Sequence, residues 1–578
     1  MSKELCELGV IGLSTVGQSL AAHHASDGIR VCVSDEDPSF VPQVVREYKS
    51  QIEADAEDAE EEEEDDEEDG DGASSDDRRT RRLRAAARCM IPSGGVEEMV
   101  PMLKRPRRIV VCGTHGRDAT FAGSFWDRLF PLLEEGDVVL RWGREDDDGG
   151  GECDPATPLR GGGGGGGDIQ FYDAATLGKL SRTQARPGGI HLLEMVRLAQ
   201  DRLLDATTTV QHSFLVGGGS REAYSLMEPL ISSYGASIAH VGNDVGCVHY
   251  AFMIQRTIEN GISQVYAEGA DILRKAAGYE QQDVGRTFKN WNESVGGGGM
   301  SSYLTGISSR IYYKRDTLTK TGFVVDHIID SIVSDPVDTW ATLEATRLGV
   351  PAPTINAAQE TRFLSVMREE RMEASAILKV MDGNDTPSVL RDQIAEDLQH
   401  AMFCACLFVV AECLSIFEAA SEVGSWDADV GECVRMWKRP GSFLESTLMD
   451  RVHTALEDDG GDSSSLLTIP VVASELQGLH MSWRRIVSMS FASAIPCPTL
   501  SSSLTHYDTY RSVRLPISLI RAQRDYYDAS GYDRLGERGW FSTCWVREHT
   551  IQKKKKELSS RGGGGQGTRK RKTKTEES

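Results

Sequence analysis

The stretch "GCVHYAFMIQRTIENGISQVYAEG", residues 246–269, has the pattern of a single long helix. Its apolar residues recur three and four positions apart, which is the spacing of one helix face. Its first four turns carry almost no charge apart from Arg256 and Glu259. A carboxylate in such a helix is either a catalytic acid in a buried site or the remnant of a former site.

The chain before this helix alternates between strand and helix patterns. A strand that ends in glycine, a helical stretch and a second strand follow one another over residues 6–35, as in a βαβ unit. The alternation resumes over 107–143 and again over 213–242. This order of elements predicts a Rossmann-type dinucleotide-binding domain over residues 1–242.

The chain after residue 244 no longer shows the strand pattern. Helical spacing continues to about residue 510, with breaks at glycine-rich and proline-rich turns. A large all-helical domain is therefore predicted over 243–510. Residues 511–578 form a polar C-terminal tail, whose composition predicts disorder from about residue 551. The predicted fold class is α/β plus all-α.

Two low-complexity insertions interrupt the first domain. Residues 53–71 hold fifteen acids and no base, and a basic run follows at 78–88. Seven consecutive glycines stand at 161–167. Dense charge blocks and glycine runs favour solvated loops, so disordered insertions are predicted at about 51–90 and 144–168.

The charge distribution argues against a nucleic-acid partner. The formal net charge is -25, and it is -10 when the fifteen acids of the first insertion are set aside. The folded part is then mildly acidic, whereas a nucleic-acid binder presents a basic face. Basic clusters near the C-terminus leave a nuclear address or an RNA contact open as the alternative to a plain solvated tail.

The twelve cysteines are scattered without a CxxC pair, which predicts buried thiols in a reducing compartment. The apolar run at 400–419 holds Cys404, Cys406 and Cys413 and is interrupted by Glu412. It is predicted to be a buried core helix, rather than a membrane span or a metal site. No signal or transit peptide pattern precedes the first strand, so a cytoplasmic location is expected.

The first strand is followed by a degenerate glycine fingerprint at residues 12–17. Gly12 permits a tight turn, Ser14 stands where a small residue lets a pyrophosphate approach the helix, and Gly17 lets the helix pack against the sheet. A tight turn that binds no ligand is the alternative. The second strand ends in an acidic run that begins with Asp35. An acid there bonds a ribose 2′-hydroxyl and repels a 2′-phosphate, so this pocket prefers NAD to NADP.

Several motifs, in order along the chain, resemble the decarboxylating 6-phosphogluconate dehydrogenase family. The most specific are "MSWRRIVSMSFASAIPCP" (481–498) and "SSLTHYDTYRSVRLPISLIRAQRDYYDASGYDR" (502–534). The stretches "WNESVGGGGMSSYLTGISSRI" (291–311) and "ETRFLSVMREERMEAS" (360–375) match as well. The resemblance covers most of residues 5–545, outside the two insertions.

This resemblance implies a Rossmann-type domain, a helical domain of the 6-phosphogluconate dehydrogenase type, and a tail that crosses to the partner in a homodimer. It implies NADP-dependent oxidation of 6-phosphogluconate at C3 and decarboxylation to ribulose 5-phosphate, a step of the pentose phosphate pathway. In that chemistry a lysine acts as general base and then acid, and a glutamate is the second acid. NADP is the implied cofactor; the acidic run favours NAD, and a chain that binds neither is the third alternative.

The catalytic helix of the family aligns with residues 248–261 without a gap. By this resemblance the glutamate is retained as Glu259, whereas the lysine position is Phe252 and the neighbouring histidine and asparagine positions are Gln255 and Arg256. Phenylalanine cannot accept a proton from a hydroxyl group. Arg256 is too basic to replace the lysine, and His249 matches a family position of its own.

Other substrate contacts of the family are altered in the same way. A lysine position falls on Thr339, a tail histidine falls on Ser530, and a glycine-containing substrate loop is lost before Gly218. Two arginines that bind phosphate in the family are retained as Arg362 and Arg524; a surface ion pair is the alternative role for each.

We therefore expect a homologue whose activity is lost or severely weakened and that acts as a dimeric scaffold or as a regulatory partner of an active paralogue. Two alternatives stay open. One is an active NAD(P)-dependent oxidoreductase on a different acid substrate. The other is a binding module that senses 6-phosphogluconate or another phosphosugar.

Overall fold

The computed structural model describes most of the chain. The described residues are 5–13, 15–35, 37–65, 88–112, 128–142, 191–197, 213–233, 237–294, 299–333, 336–378, 391–440, 442–461, 463–545 and 551–554.

An eight-stranded sheet forms the N-terminal part of the described chain. Its spatial order is β3-β2-β1-β4-β5-β6-β7-β8. The first six strands pair in parallel, β6 pairs antiparallel with β7, and β7 pairs in parallel with β8. The order 3-2-1-4-5-6 is that of a doubly wound dinucleotide-binding sheet, so the predicted Rossmann-type domain is confirmed. The strands are β1 Leu8–Ile11, β2 Val31–Ser34, β3 Met90–Pro92, β4 Arg108–Val111, β5 Val138–Trp142, β6 His191–Arg197, β7 Ser213–Gly217 and β8 Ser237–Gly242.

Both faces of this sheet are buried. On one face the strands pack against helices α1 (Thr15–Ser26), α2 (Val41–Asp65) and α4 (Arg221–Ser233). On the other face they pack against the short helix α3 (Val96–Met99) and the segment around Leu129. Parallel strands read as continuous apolar runs because helices cover them on both sides, and β1 and β2 are buried at every position.

The predicted all-helical part is confirmed over the described residues from 245 to 510. Its helices are α5 Val245–Lys275, α6 Gln281–Glu293, α7 Tyr303–Tyr313, α8 Pro336–Leu348, α9 Pro353–Val366, α10 Arg368–Ile377, α11 Arg391–Gly424, α12 Val430–Trp437, α13 Thr447–Asp459, α14 Pro470–Ala492 and α15 Pro498–Tyr510.

Two long helices, α5 and α11, cross at the centre of this part, and two glycines of α5 let them approach. A Cβ atom added to Gly261 would lie 2.6 Å from Cγ1 of Val409, and one added to Gly269 would clash with the sulfur of Met402. Val409 and Met402 have no exposed surface. The packing of the helix at residues 246–269 therefore depends on the two glycines that admit α11 as well as on its apolar face.

Two buried carboxylates on these helices cap the starts of other helices. Glu268 of α5 accepts the backbone N–H groups of Thr499 and Leu500 at 2.9 and 3.0 Å, at the start of α15. Glu412 of α11 accepts the backbone N–H groups of Thr354 and Ile355 at the start of α9. These contacts satisfy N–H groups that have no partner within their own helices. Burial nevertheless raises the pKa of Glu268.

The apolar run predicted as a core helix is α11. Its three cysteines are buried, which confirms the packing role predicted for them. Among the described helices, α11 is the one long and apolar enough by composition to cross a membrane, but 89% of its most apolar window is buried inside the protein. That degree of burial is typical of the core helix of a soluble protein.

The chain separates into two compact units, residues 1–504 and 505–578. In the second unit, helix α16 (Ile517–Asp528) is followed by an antiparallel sheet of β9 Tyr532–Arg534, β10 Glu537–Thr543 and β11 Ile551–Lys554. Asp525 organises this unit by accepting hydrogen bonds from the backbone of Gly531 and Thr543 and from the Trp545 indole. Disorder was expected from about residue 551, but β11 pairs with β10 to Lys554 because its backbone groups complete the β10 ladder.

The first predicted insertion also differs from the structure, since disorder does not begin near residue 51. Helix α2 continues to Asp65. Tyr48 and Ile52 are buried against the sheet, and the alanines and glutamates that follow are good helix formers that extend an anchored helix at low cost. The second insertion, 144–168, lies outside the described residues. The domain boundaries at 242/243 and 510/511 stay predictions.

Substitution at the α5–α11 crossing should be destabilising even though it improves helix propensity. Gly261→Ala is expected to lower the free energy of unfolding by roughly 1–3 kcal/mol, because the methyl group overlaps the stiff Val409 side chain. Gly478 lies in α14 with open space around it, so Gly478→Ala should raise stability by up to about 1 kcal/mol. Urea unfolding of both variants measures the difference, and a stabilised Gly261→Ala variant would contradict the packing argument.

A buried histidine should make the first domain sensitive to acid. His24 in α1 has no exposed surface, neither ring nitrogen has a hydrogen-bond partner among the described residues, and burial lowers its pKa to about 4. His23, Asp27 and Arg108 are the charged or titratable groups around it.

Because the unfolded imidazole binds a proton near pH 6.5 and the buried one does so only near pH 4, protons favour the unfolded chain between these values. Stability is therefore full above about pH 6.5 and falls as the pH drops, by about 2 kcal/mol between pH 7.5 and pH 5. Urea midpoints at the two pH values should show a smaller drop for His24→Leu than for the wild type; an equal drop would contradict the assignment.

Candidate functional site

The turn between β1 and α1 requires glycine at both ends of the fingerprint. Gly12 follows β1 with a φ of 85°, a backbone conformation that favours glycine. A Cβ atom on Gly17 would collide with the carbonyl oxygen of Gly12, so α1 starts directly against the turn. Ser14, predicted to face a cofactor, lies outside the described residues.

Asp35 stands immediately after β2 and is buried with 5% exposure. Its Oδ2 atom accepts the backbone N–H of Leu13 in the glycine turn at 2.7 Å, and its Oδ1 atom accepts the N–H of Asp37 at 3.0 Å. Asp37 in turn accepts the N–H of Ser39. The carboxylate therefore ties the end of β2 to the glycine turn at the end of β1.

These residues fit a dinucleotide. The start of α1 lies directly against the glycine turn because Gly17 has no side chain, and an acid stands at the end of the neighbouring strand β2. A glycine turn followed by a helix start is the arrangement that receives a pyrophosphate in dinucleotide-binding units. Gly12 and Gly17 would border the pyrophosphate and Asp35 would face the adenosine ribose. A nicotinamide dinucleotide held there supplies a hydride acceptor; the residues of this chain bind and orient it.

The second group of candidate residues lies on α5. Most of this helix is buried, and its partly exposed positions His249, Phe252, Arg256 and Asn260 recur at three- and four-residue intervals. Residues at this spacing lie on one side of a helix. We call these four residues the α5 stripe. It is the face on which the family resemblance places a general base.

Glu259 lies beside the α5 stripe and is buried with 3% exposure. Its Oε1 atom accepts a hydrogen bond from the Gln255 side-chain amide at 2.9 Å, and its Oε2 atom lies 3.1 Å from the Arg256 guanidinium. Both donors stand one turn before it on the same helix. Each carboxylate oxygen is thus an acceptor in a contact made within α5.

Arg362 reaches the same stripe from α9. Its guanidinium donates to the Asn260 side-chain oxygen at 2.6 Å. Asn260 lies four residues after Arg256, so the two guanidinium groups approach neighbouring positions of one helix face. Thr339, where the resemblance expects a lysine, stands on α8 next to Trp340, whose ring contacts Tyr250 of α5 edge-on.

Arg524 belongs to the second compact unit. It is exposed on α16, one residue before the buried Asp525. No ion pair joins it to another residue in the part of the chain that the structure describes. Ser530 is also exposed, and its N–H donates to Asp528.

Comparison with known proteins identifies the family. The model described as 6-phosphogluconate dehydrogenase, C-terminal domain, matches residues 248–545. Over 554 residues the chain is 31% identical to 6-phosphogluconate dehydrogenase, decarboxylating 1, of Spinacia oleracea, covering 93% of this chain and 98% of the relative.

The chain belongs to the 6-phosphogluconate dehydrogenase family.

Two further comparisons give a relative that carries the same family name and a solved structure of the same fold. The NADP(+)-dependent, decarboxylating 6-phosphogluconate dehydrogenase of Bacillus subtilis is 26% identical over 557 residues, which cover 95% of this chain and all of the relative. The Plasmodium falciparum 6-phosphogluconate dehydrogenase, solved in its apo form and in complex with its cofactor NADP+ and with its substrate 6-phosphogluconate, superposes with a TM-score of 0.68 at 24% identity. That likeness covers 93% of this chain and 100% of the Plasmodium chain and shows the fold.

Membership in the 6-phosphogluconate dehydrogenase family confirms the resemblance and the fold class read from the motifs. The roles predicted for Glu259, Arg362, Arg524 and Asp35 stay predictions.

Sequence reasoning missed two features of the site. One is the contact between Gln255 and Glu259, although their four-residue spacing on a helix could have indicated it. The other is Asn260 as the partner of Arg362, for which the sequence holds no local signal because the two residues are 102 positions apart.

Proposed function

We propose that this chain is a 6-phosphogluconate dehydrogenase homologue whose dehydrogenase reaction is lost or severely weakened. The observation that carries the proposal is Phe252, at the α5 position where the family resemblance expects the general-base lysine. This position is assigned by the resemblance of residues 248–261 to the catalytic helix of the family. The family model, which begins at residue 248, spans the same segment.

The chemistry implied by the family begins with removal of a proton from the C3 hydroxyl of 6-phosphogluconate. A phenyl ring has no lone pair to accept that proton, and the loss of a positioned general base costs roughly 10²–10⁴ in rate. The proposal therefore concerns the chemical step and not the fold, because Phe252 is a half-buried residue on the partly open side of a helix that is otherwise mostly buried.

The neighbours of Phe252 do not replace the lysine. Arg256 stays protonated at any physiological pH and its guanidinium contacts Glu259. Glu259 accepts hydrogen bonds at both oxygens from Gln255 and Arg256. This arrangement supports the view that Glu259 is a remnant of the catalytic pair, held by residues that differ from those of the family pattern.

A chain that does not catalyse the dehydrogenase reaction would act by binding other proteins. We propose a cytoplasmic homodimer formed through the helical domain, serving as a scaffold or as a regulatory partner of an active paralogue. Its cofactor is NADP by family membership and NAD by the chemistry of Asp35. Large apolar side chains are exposed on α9 and α10, among them Phe363, Leu364 and Met372, and an exposed apolar surface of this kind supports a protein partner.

The activity of the purified full chain tests the proposal. With 6-phosphogluconate and either NAD+ or NADP+, reduced nicotinamide should form at least about 100-fold more slowly than with an active family member, because the proton acceptor is missing. The assay records reduced nicotinamide and carbon dioxide together. Turnover within tenfold of the active enzyme would overturn the proposal, and turnover of another hydroxy acid would favour the alternative of a different substrate.

A lysine introduced at position 252 distinguishes two causes of low activity, namely the missing general base and a wider loss of the active site. Phe252→Lys should raise the rate, and Phe252→Lys with Arg256→Asn should raise it further, because the second change releases Glu259 from its ion pair. Phe252→Leu is the matched control, since it changes the packing without supplying a base. A gain with Phe252→Leu equal to that with Phe252→Lys would show that proton transfer is not what the wild type lacks.

A second candidate function, a phosphosugar-binding module, is favoured by Arg256 and Arg362. Both guanidinium groups stand along one helix face, and guanidinium groups suit phosphate geometry. Arg524 is the second arginine that the family resemblance assigns to phosphate.

Calorimetric titration of 6-phosphogluconate measures this function without turnover. Arg362→Gln should weaken binding by about tenfold or more, because one charge-assisted bond to the phosphate is lost. Arg368→Gln is the control, since Arg368 is half-exposed on α10 and pairs with Asp330 rather than with a residue of the α5 stripe. Equal affinities for the two variants would exclude a role of Arg362 in phosphate binding.

A further inference from the structure

The end of β2 differs in charge from what an NADP site needs. A 2′-phosphate on the adenosine ribose adds negative charge beside the residue that ends the second strand of a Rossmann unit, and an arginine there accommodates it. In this chain that residue is Asp35, and Asp37 follows two positions later. Both residues therefore add negative charge at the end of β2.

Asp35 cannot turn away from that place at low cost. It is buried, and its two oxygens accept the N–H groups of Leu13 and Asp37. Rotation of the side chain would leave the buried N–H of Leu13 without its partner, which is unfavourable. The carboxylate is therefore fixed against the glycine turn. Its remaining lone pairs can accept a hydrogen bond from a ribose hydroxyl group.

Among the described residues that flank β2 and form α2, the arginine side chains do not offset this charge. The nearest arginine after Asp35 is Arg46, in the second turn of α2, and its Nε atom donates to the carbonyl oxygen of Pro42 on its own helix. Arg30 stands at the opposite end of β2, before the strand begins. Neither arginine occupies the end of β2 where a phosphate would be accepted.

We propose that the first domain binds NAD+ in preference to NADP+ and that Asp35 is the residue that determines this specificity. The Bacillus subtilis relative is NADP(+)-dependent by name, and the Plasmodium falciparum relative was solved with NADP+ as its cofactor. By this inference the chain differs in cofactor from both of these relatives. The inference rests on the proposed function only in treating residues 1–242 as a dinucleotide-binding unit.

Equilibrium binding of the two dinucleotides to the full chain tests the inference. Isothermal titration in the absence of any sugar acid gives dissociation constants for NAD+ and NADP+. The wild type should bind NAD+ at least about tenfold more tightly, because like charges a few ångströms apart repel strongly in a partly buried site. Asp35→Asn should shift the ratio toward NADP+ by about tenfold or more, since the amide removes the negative charge and keeps an oxygen for the N–H of Leu13.

Asp27→Asn provides the matched control. It removes the same charge from a partly exposed carboxylate just after α1, outside the glycine turn, and should leave the ratio unchanged. Equal or tighter binding of NADP+ by the wild type, no binding of either dinucleotide, or a ratio unaffected by Asp35→Asn would each overturn the inference.

The ratio of the two dissociation constants of the wild type tests the preference for NAD+ even if Asp35→Asn does not fold. Because binding is measured without substrate, turnover of 6-phosphogluconate would refute the proposed loss of activity and leave this result standing.

Discussion

The close approach of α5 and α11 is the constraint on which the rest of the structure depends. Gly261 and Gly269 stand eight residues apart, slightly more than two turns, and so face the same neighbour. Their missing side chains let the two longest helices meet over apolar surface. Helices α8 and α9 then pack on α5, and α14 packs on α11. Arg362 reaches Asn260 only because α9 is held in this position.

The candidate site occupies the side of α5 that this packing leaves partly open. His249, Phe252, Arg256 and Asn260 lie there, whereas the polar side chains that hold the fold lie elsewhere. On this open side Arg256 and Glu259 form an ion pair within one helix. The buried carboxylate of Glu259 therefore has a charged partner without a bound substrate. This carboxylate finds hydrogen-bond donors on its own helix.

Periodicity alone predicted the βαβ opening, the long helix at 246–269 and the apolar core helix, because each pattern repeats often enough to fix the type of element. It missed β6, a seven-residue strand that follows a long glycine-rich stretch, and it ended the folded part of α2 too early. Charge density suggested an unfolded loop there, but burial of Ile52 anchors the helix. Pairings such as Arg362 with Asn260 depend on tertiary packing, which local sequence does not encode.

The helix cap made by Glu268 bears on how such a chain changes over generations. Glu268 lies nine residues after Glu259, which places the two carboxylates on opposite sides of α5. One is tied to the backbone of α15, and the other borders the open side. The contact that Glu268 makes is therefore separate from the side of α5 on which Phe252 stands. Substitutions on the open side can therefore alter the chemistry of this helix without removing the contact that holds the start of α15.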